Sequence, residues 1–310
     1  MSTADNKDNN KVPVVCANCG KGEESSDSLK ACTACKLVKY CNRDCQIAHR
    51  PQHKKACKKR VAELHEELLF KPPPPIEDDC PICFLRMPTL MSGSQYMSCC
   101  GKIICNGCIY APVYDDQGNK VKKTCPFCRN KHPKTEEELV QMTKKLVEIG
   151  NTKAISNLGA LYYNGADGLP QDYERALELW HRAAELGVAE AYHNIGHAYE
   201  TGRGVKMDKK KSLYYLELAA MRGSTNARHN LGVYEEKAGN MNSALKHYMI
   251  AVRGGYSKSL KNIKLLYSIG HATKEDYTAA LQSYQIYLDE IKSDQRDKAA
   301  ATDDLCKYID

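Results

Sequence analysis

Cysteine dominates the chemistry that this sequence can support. The chain has 310 residues and 16 cysteines, most of them in C-x-x-C pairs. A tight turn in such a pair brings both sulfurs to one metal ion, and clustered thiolates in a reducing compartment favour zinc. Disulfides would need an oxidising compartment, and iron–sulfur clusters use tighter cysteine runs. The spacing therefore predicts structural zinc in two consecutive groups, within residues 16–57 and 80–128.

The first group provides eight candidate ligands, enough for two tetrahedral Zn²⁺ ions. They are Cys16, Cys19, Cys32, Cys35, Cys41, Cys45, His53 and Cys57. His53 and Cys57 are four residues apart, so a helix presents both on one face. His49 lies on the same helical face and is the alternative to His53.

This first group resembles the MYND-type zinc finger in the pattern Tyr40-Cys41-xxx-Cys45-Gln46 followed by His53-Lys54-xx-Cys57. The resemblance implies that one zinc binds Cys16, Cys19, Cys41 and Cys45. It implies that the other zinc binds Cys32, Cys35, His53 and Cys57. MYND fingers bind proline-containing peptides, which is the expected function here, with a purely structural zinc module as the alternative. Arg50 stands where the family usually has tryptophan.

The second group consists of eight cysteines between residues 80 and 128. They are Cys80, Cys83, Cys99, Cys100, Cys105, Cys108, Cys125 and Cys128. Cys99 and Cys100 are adjacent, so both bind one ion only if the backbone turns sharply, which Gly101 permits. His132 is the reserve ligand should one of this pair fail to bind.

The order and spacing of the second group resemble a RING finger in an all-cysteine variant. The resemblance implies that one zinc binds Cys80, Cys83, Cys105 and Cys108, and that the other binds Cys99, Cys100, Cys125 and Cys128. Both ions would be saturated, so neither offers a position for a reactive water. RING fingers instead hold a ubiquitin-charged conjugating enzyme in a reactive conformation, which is catalysis by positioning.

By the same resemblance, three residues contact the conjugating enzyme: Ile82, Pro126 and Arg129. The family often has an aromatic four residues after the sixth ligand, where this chain has Pro112. Tyr110 or Tyr114 is the candidate substitute for that aromatic.

The chain beyond residue 136 repeats itself. Gly159, Gly196 and Gly232 are 37 and 36 residues apart, each on a helix-like segment with small residues at matching positions. The pattern resembles the Sel1-like repeat, a relative of the tetratricopeptide repeat, over roughly residues 150–290. The resemblance implies antiparallel helix pairs stacked into a solenoid, which is an interaction surface. Trp180 is expected in the solenoid core, at a position taken by Tyr215 and Tyr248 in later units.

Charge does not indicate a nucleic-acid partner. The formal net charge is +7, but fifteen thiolates and four Zn²⁺ ions would contribute −7 and cancel it, which removes the global electrostatic argument. Residues 46–62 carry six basic residues and no acid, a pattern expected of a solvated helix face.

Several function classes are not expected from the sequence. No apolar run approaches the ~18 residues that a membrane span needs, and the polar segment Met1–Lys11 is not expected to be a secretory signal. The sequence has no nucleophile elbow, phosphate loop or catalytic triad. We expect protein partners, no small-molecule substrate, and a cytoplasmic and/or nuclear location.

The predicted fold class is small zinc-stabilised α+β modules, two cross-brace zinc fingers, followed by an all-α solenoid of helix-hairpin repeats. The predicted domains are a disordered tail at 1–12, a MYND-type finger with a C-terminal helix at 13–70, a proline-rich linker at 71–79, a RING-type finger at 80–133, the solenoid at 136–290 and a C-terminal tail or capping helix at 291–310.

The expected function is that of a RING-type E3 ubiquitin ligase with four structural Zn²⁺ ions. Its RING would recruit a conjugating enzyme, and its MYND finger and repeats would bind clients. A non-enzymatic scaffold is the alternative. Chelation is expected to unfold residues 16–128 and spare the solenoid, because small zinc modules lack a sufficient core without metal.

Overall fold

The computed structural model describes residues 15–22, 29–72, 79–111 and 124–309. The chain divides into two compact units, Met1–Lys71 and Pro72–Asp310. The predicted tail and most of the predicted linker lie outside the described residues, as do Pro112 and Tyr114. The predicted fold class is confirmed, since small modules with short strands and cysteine clusters precede a helical solenoid.

The first unit consists of a short hairpin and one long helix. Strand β1 (Lys30–Ala31) pairs antiparallel with β2 (Lys39–Tyr40). Helix α1 (Arg43–Leu69) begins after Asn42, whose side-chain oxygen accepts a hydrogen bond from the Cys45 backbone N–H at 2.8 Å. This N-cap satisfies one of the free amides that every helix start exposes.

The second half of α1 is a solvated helix. His53 and Leu69 are the buried residues that the described part of α1 contains. Arg60 forms ion pairs with Glu63 and Glu67 at 3.2 and 2.7 Å. The basic run therefore ends against acidic residues of the next turns, an arrangement suited to solvent.

The second unit begins with a small module that contains one hairpin and one short helix. Strand β3 (Ser94–Met97) pairs antiparallel with β4 (Lys102–Cys105), and helix α2 (Asn106–Tyr110) follows directly. The hairpin turn ends at Gly101, which has a φ of +68°. A Cβ atom there would also lie 2.5 Å from the Asn151 side chain, so the turn and the packing both require glycine.

The rest of the second unit is a series of helices that pair antiparallel. They are α3 (Glu136–Glu148), α4 (Thr152–Asn164), α5 (Tyr173–Glu185), α6 (Ala189–Thr201), α7 (Lys209–Met221), α8 (Thr225–Lys237), α9 (Met241–Arg253), α10 (Ser257–Ser268), α11 (Lys274–Ile291) and α12 (Asp294–Thr302). The side chains of Asp172 and Asp208 cap α5 and α7, so the repeated aspartates mark helix starts.

The repeated glycines allow the two helices of one repeat to come into contact. A Cβ atom on Gly159 would lie 2.7 Å from Trp180, and one on Gly232 would lie 2.4 Å from Tyr248. In the second repeat, built from α6 and α7, the side chain that faces Gly196 is Leu216. The expectation that Tyr215 takes the position of Trp180 is therefore wrong. Counted from the capping aspartate of each second helix, Trp180 and Leu216 occupy the same position. Trp180 itself is 3% exposed, as expected for the core.

The small module at the start of the second unit contacts both ends of the helix series. Tyr96 of β3 packs against the apolar cluster formed by α3 to α6. The Thr89 backbone N–H donates to the Tyr287 hydroxyl of α11 at 2.7 Å, and Arg86 forms an ion pair with Glu290 at 2.5 Å. Among the described residues, no helix has the length and apolar character needed to cross a bilayer.

Replacing Gly159 with alanine tests the close helix contact. We expect G159A to destabilise the solenoid by about 1–3 kcal/mol, because the new methyl group overlaps the Trp180 ring. The penalty should shrink in a W180L background, which copies the Gly196–Leu216 pair. Urea denaturation followed by circular dichroism, run as a double-mutant cycle, measures both effects. Equal penalties in the two backgrounds would contradict the proposed contact.

Candidate metal centres

The structure brings sixteen ligand residues together in four clusters of four. Cluster 1 contains Cys16, Cys19, Cys41 and Cys45, cluster 2 contains Cys32, Cys35, His53 and Cys57, cluster 3 contains Cys80, Cys83, Cys105 and Cys108, and cluster 4 contains Cys99, Cys100, Cys125 and Cys128. Within each cluster the ligand atoms lie within 4.8 Å of one another. The membership is that implied by the two cross-brace resemblances.

The spacing of the sulfur atoms fits tetrahedral zinc. The sulfur atoms in direct contact within the clusters lie between 3.4 Å (Cys41–Cys45) and 4.0 Å (Cys32–Cys57) apart. Zinc–sulfur bonds of about 2.3 Å place tetrahedral sulfurs about 3.8 Å apart. A disulfide would bring two sulfurs to about 2.05 Å, and all sixteen cysteines are free thiols here.

Helix α1 joins clusters 1 and 2. Cys45 lies in its first turn and contributes to cluster 1, whereas His53 and Cys57, one turn apart, contribute to cluster 2. The Nε2 atom of His53 lies 3.1 Å from the Cys35 sulfur. The first and third ligand pairs along the chain thus form cluster 1, and the second and fourth pairs form cluster 2, which is the cross-brace arrangement.

His49, the alternative ligand, does not belong to cluster 2. Its Nδ1 atom lies 3.1 Å from the hydroxyl of Tyr40, a side chain that is 2% exposed. Its ring stacks on His53, with centroids 5.7 Å apart. His49 thus supports the orientation of His53 from the side.

Clusters 3 and 4 are both built on the hairpin of the second zinc module, and helix α2 adds a ligand to cluster 3. Strand β4 ends at Cys105, and α2 carries Cys108, so this strand-to-helix junction completes cluster 3. The hairpin turn supplies Cys99 and Cys100 to cluster 4. Cys100 and Gly101 both donate their backbone N–H to the Met97 carbonyl, at 3.2 and 2.8 Å, which gives the sharp turn that adjacent ligands require.

Four C-x-x-C pairs form the same knuckle turn. In each, the residue after the second cysteine donates its N–H to the carbonyl of the first cysteine at 2.9 Å. That residue has a positive φ in every case: Gly20 at 72°, Lys36 at 56°, Phe84 at 57° and Arg129 at 62°. The repeated geometry directs both sulfurs of each pair to one side, where they share a metal.

The first cysteine of each knuckle favours its thiolate form. Hydrogen bonding to Cys105 lowers the pKa of Cys80 to about 4. Burial opposes the thiolate of Cys16, yet backbone hydrogen bonds from Cys19, Cys41 and Asn18 lower its pKa to about 6. The pKa values of Cys32 and Cys125 are also lowered, because backbone hydrogen bonds outweigh burial. The backbone is thus arranged for the charged sulfur that zinc binds.

The three residues predicted to contact a conjugating enzyme lie on the two knuckles of the second module. Ile82 and Pro126 are half-buried, and Ile82 packs against the cysteine-rich core. Arg129 is exposed. Two residues missed by sequence reasoning stand beside them, since Phe84 is 77% exposed and Phe127 is 43% exposed. The available signal was composition, because the chain has three phenylalanines and two of them belong to these knuckles.

The reserve ligand His132 and the remaining cysteine, Cys306, lie outside the clusters. His132 is exposed and is absent from cluster 4. Cys306 is 1% exposed and joins none of the four clusters. It lies beside Tyr110 of α2, and the hydrogen bond between them raises the pKa of Tyr110.

Comparison with protein families identifies two of the three modules. The model of the MYND finger matches residues 16–57. These residues form a MYND finger. The model of the Sel1 repeat matches residues 152–188 and 189–224, the units built from α4 with α5 and from α6 with α7. The helix pairing continues through α8 to α11 beyond the matched residues.

Curated proteins resemble only part of this chain. An Arabidopsis thaliana protein named ERAD-associated E3 ubiquitin-protein ligase component HRD3B is 32% identical over 113 residues, covering 36% of this chain and 18% of its own length. Chitin synthase regulatory factor 4 of Schizosaccharomyces pombe is 27% identical over 161 residues, covering 51% of this chain and 25% of its own length. This chain thus spans a quarter or less of each relative.

Solved Sel1-type structures cover about half of the chain. A Sel1 repeat protein from Oxalobacter formigenes is 26% identical, with a TM-score of 0.42, and covers 54% of this chain and 65% of its own. The uropathogenic Escherichia coli antigen c5321 is 25% identical, with a TM-score of 0.44. The match covers 58% of this chain and 39% of the antigen. The family matches and cysteine clusters together indicate a zinc-binding protein that interacts with other proteins.

Replacing each histidine in turn tests the assignment of cluster 2. We expect H53A to lower the zinc content by about one ion per chain, because three cysteines and no imidazole remain. H49A is the matched control and should keep its zinc, since it loses the contact with Tyr40 and the stacking on His53 but no ligand atom. Elemental analysis of the purified variants measures both. Loss of zinc from H49A with retention in H53A would reverse the assignment.

Proposed function

We propose that this protein is a RING-type E3 ubiquitin ligase built on a protein-interaction scaffold. In this proposal the second zinc module, residues 80–128, binds a ubiquitin-charged conjugating enzyme. The MYND finger and the Sel1 repeats bind client proteins. The observation that carries the proposal is the surface of the two knuckles in the second zinc module.

That surface has the properties of a protein contact. Phe84 and Phe127 are exposed aromatic side chains on turns that their own clusters hold rigid. Exposed aromatics and arginines are the residues that most often anchor protein interfaces, because they bury much area at little entropic cost. Arg129 lies one residue beyond the second knuckle and adds a charge-assisted donor.

Positioning is the chemistry that such a surface can supply. Four protein ligands saturate each cluster, so no metal position is open to activate water. Zinc, when bound, supplies rigidity to the knuckles. The residues of the chain then act by holding the conjugating enzyme and its ubiquitin in a reactive orientation, which lowers the entropic part of the barrier.

The MYND finger provides a separate contact surface. Leu37 and Ile47 of the first unit are 55% and 57% exposed. Arg50, which lies between Ile47 and the ligand His53 along the chain, is also exposed. We infer that this surface binds a proline-containing peptide of a client. Arg50, in place of the usual tryptophan, favours a peptide that carries an acidic residue as well.

The name of one relative supports the proposal. HRD3B is named as a component of an E3 ubiquitin-protein ligase, although this chain covers 18% of that protein. Clustered zinc-binding cysteines suit a reducing compartment, and we propose a cytoplasmic and/or nuclear location on that ground.

A non-enzymatic scaffold is the second candidate, and one observation favours it. Helix α12 packs over α2 of the second zinc module, and Gly107 of α2 lies directly against Gln295 and Arg296. Part of the α2 surface is therefore covered by α12, and the knuckles are the part of the second zinc module that a partner can reach. The regulatory name of chitin synthase regulatory factor 4 agrees with this candidate.

Ubiquitin discharge from a panel of charged conjugating enzymes tests the proposal. We expect F127A and R129G each to slow discharge about tenfold or more, as when an interface anchor is truncated. Glycine is the choice at position 129 because the φ of +62° then costs nothing, so only the side chain is lost.

The control is Y214A, which removes a solenoid aromatic of 57% exposure and should discharge ubiquitin like the wild type. Wild-type protein that is inactive with every enzyme of a broad panel would exclude the ligase. If F127A then weakened a measured protein contact without any such activity, the scaffold would be the remaining candidate.

A further inference from the structure

Arg296 of α12 is a buried cation with an unusual set of neighbours. Its side chain is 1% exposed. Its Nη1 atom donates to the carbonyls of Arg86 and Ile291 at 2.8 and 2.7 Å, and its Nη2 atom lies 3.8 Å from the sulfur of Cys83. In the part of the chain that the structure describes, no carboxylate forms an ion pair with this guanidinium.

A buried guanidinium without an anion is strongly unfavourable, so the source of its counter-charge matters. The thiolates of cluster 3 are the negative groups that approach Arg296. The Cys83 sulfur is in direct contact with the guanidinium. A Zn²⁺ ion with four thiolates has a net charge of −2, so the metal-loaded cluster supplies the missing anion.

Arg296 is also the point where α12 meets the second zinc module. A Cβ atom on Gly107 would lie 2.8 Å from Cγ of Arg296 and 2.9 Å from its backbone nitrogen. No side chain therefore separates α2 from α12 at this point. The same helix α2 carries Cys108, so α12 rests on an element that the metal of cluster 3 holds in place.

We propose that Arg296 is the counter-charge of cluster 3 and latches α12 onto the second zinc module. With metal bound, the thiolate charge holds the guanidinium, and α12 covers α2. When the metal leaves, cluster 3 no longer holds α2 in place or presents its charge to Arg296, so α12 detaches. Arg296 is thus a positioning residue outside the four ligands, of the kind that tunes metal affinity.

This latch changes what chelation should do. The sequence predicts that metal removal spares the solenoid. Because α12 and the end of α11 contact the second zinc module through Arg296 and Glu290, metal removal should also loosen the C-terminal helices. The inference depends on metal in cluster 3 and is independent of ubiquitin transfer.

The experiment uses the full zinc-loaded chain and three variants. R296M keeps the length of the side chain and removes its charge. R296K keeps the charge and loses the planar fork. K298M removes an exposed charge from the same helix and is the matched control. Zinc release to a chelating dye gives the rates, and alkylation with iodoacetamide, read by mass spectrometry, assigns each released site to its cysteines.

We expect R296M to release zinc from cluster 3 about tenfold faster or more, the usual effect of removing an outer-sphere partner. Cluster 4 in the same molecule should be unchanged. R296K should lie between R296M and the wild type, and K298M should match the wild type. Hydrogen exchange at residues 294–302 should rise in R296M and in chelated wild-type protein.

Two outcomes would overturn the latch. One is faster exchange of α12 in R296M with unchanged zinc release from cluster 3, which would assign Arg296 a packing role only. The other is equal protection of α12 in zinc-loaded and chelated wild-type protein. The second comparison uses no variant, so it decides the question even if R296M fails to fold.

Discussion

The convergence of four ligands on one point is the constraint on which the rest of this structure depends. The apolar clusters of the two zinc modules consist largely of the ligating cysteines themselves, joined by a few residues such as Leu29, Met97 and Ile104. Modules of this size cannot bury enough apolar surface to fold alone. Metal binding therefore supplies their folding free energy, and the knuckle turns are the backbone arrangement that makes the binding possible.

The solenoid is stabilised in a different way. Its helices meet where a glycine faces a large side chain, as Gly159 faces Trp180 and Gly232 faces Tyr248. Each contact is local to one repeat, so stability accumulates from neighbour to neighbour along the series. The second zinc module adds contacts of another kind, because it touches the first helices through Tyr96 and the last ones through Arg86 and Thr89.

These contacts bear on function. A zinc module that stood alone would expose its short helix as well as its knuckles. Here α12 lies on α2, so the surface that remains for a partner is concentrated at the knuckles, with Phe84 and Phe127 as its large apolar groups. A partner surface held on a rigid turn costs little ordering on binding, which suits both a ligase that positions an enzyme and a scaffold that binds a protein.

The sequence by itself determined the ligand chemistry and the repeat, because both are written in local spacing. A C-x-x-C pair needs only a turn to bind metal, and a repeat of about 36 residues needs only its nearest neighbours. The MYND resemblance favoured His53 over His49, and the tertiary structure supplied the physical reason, since the His53 ring meets the Cys35 sulfur while the His49 ring meets the Tyr40 hydroxyl. Tertiary structure alone decided the exposure of Phe84 and Phe127 and the role of Arg296, which meets Cys83 across 213 residues of chain. Contacts at such separation depend on the whole fold and leave no periodic pattern in the sequence.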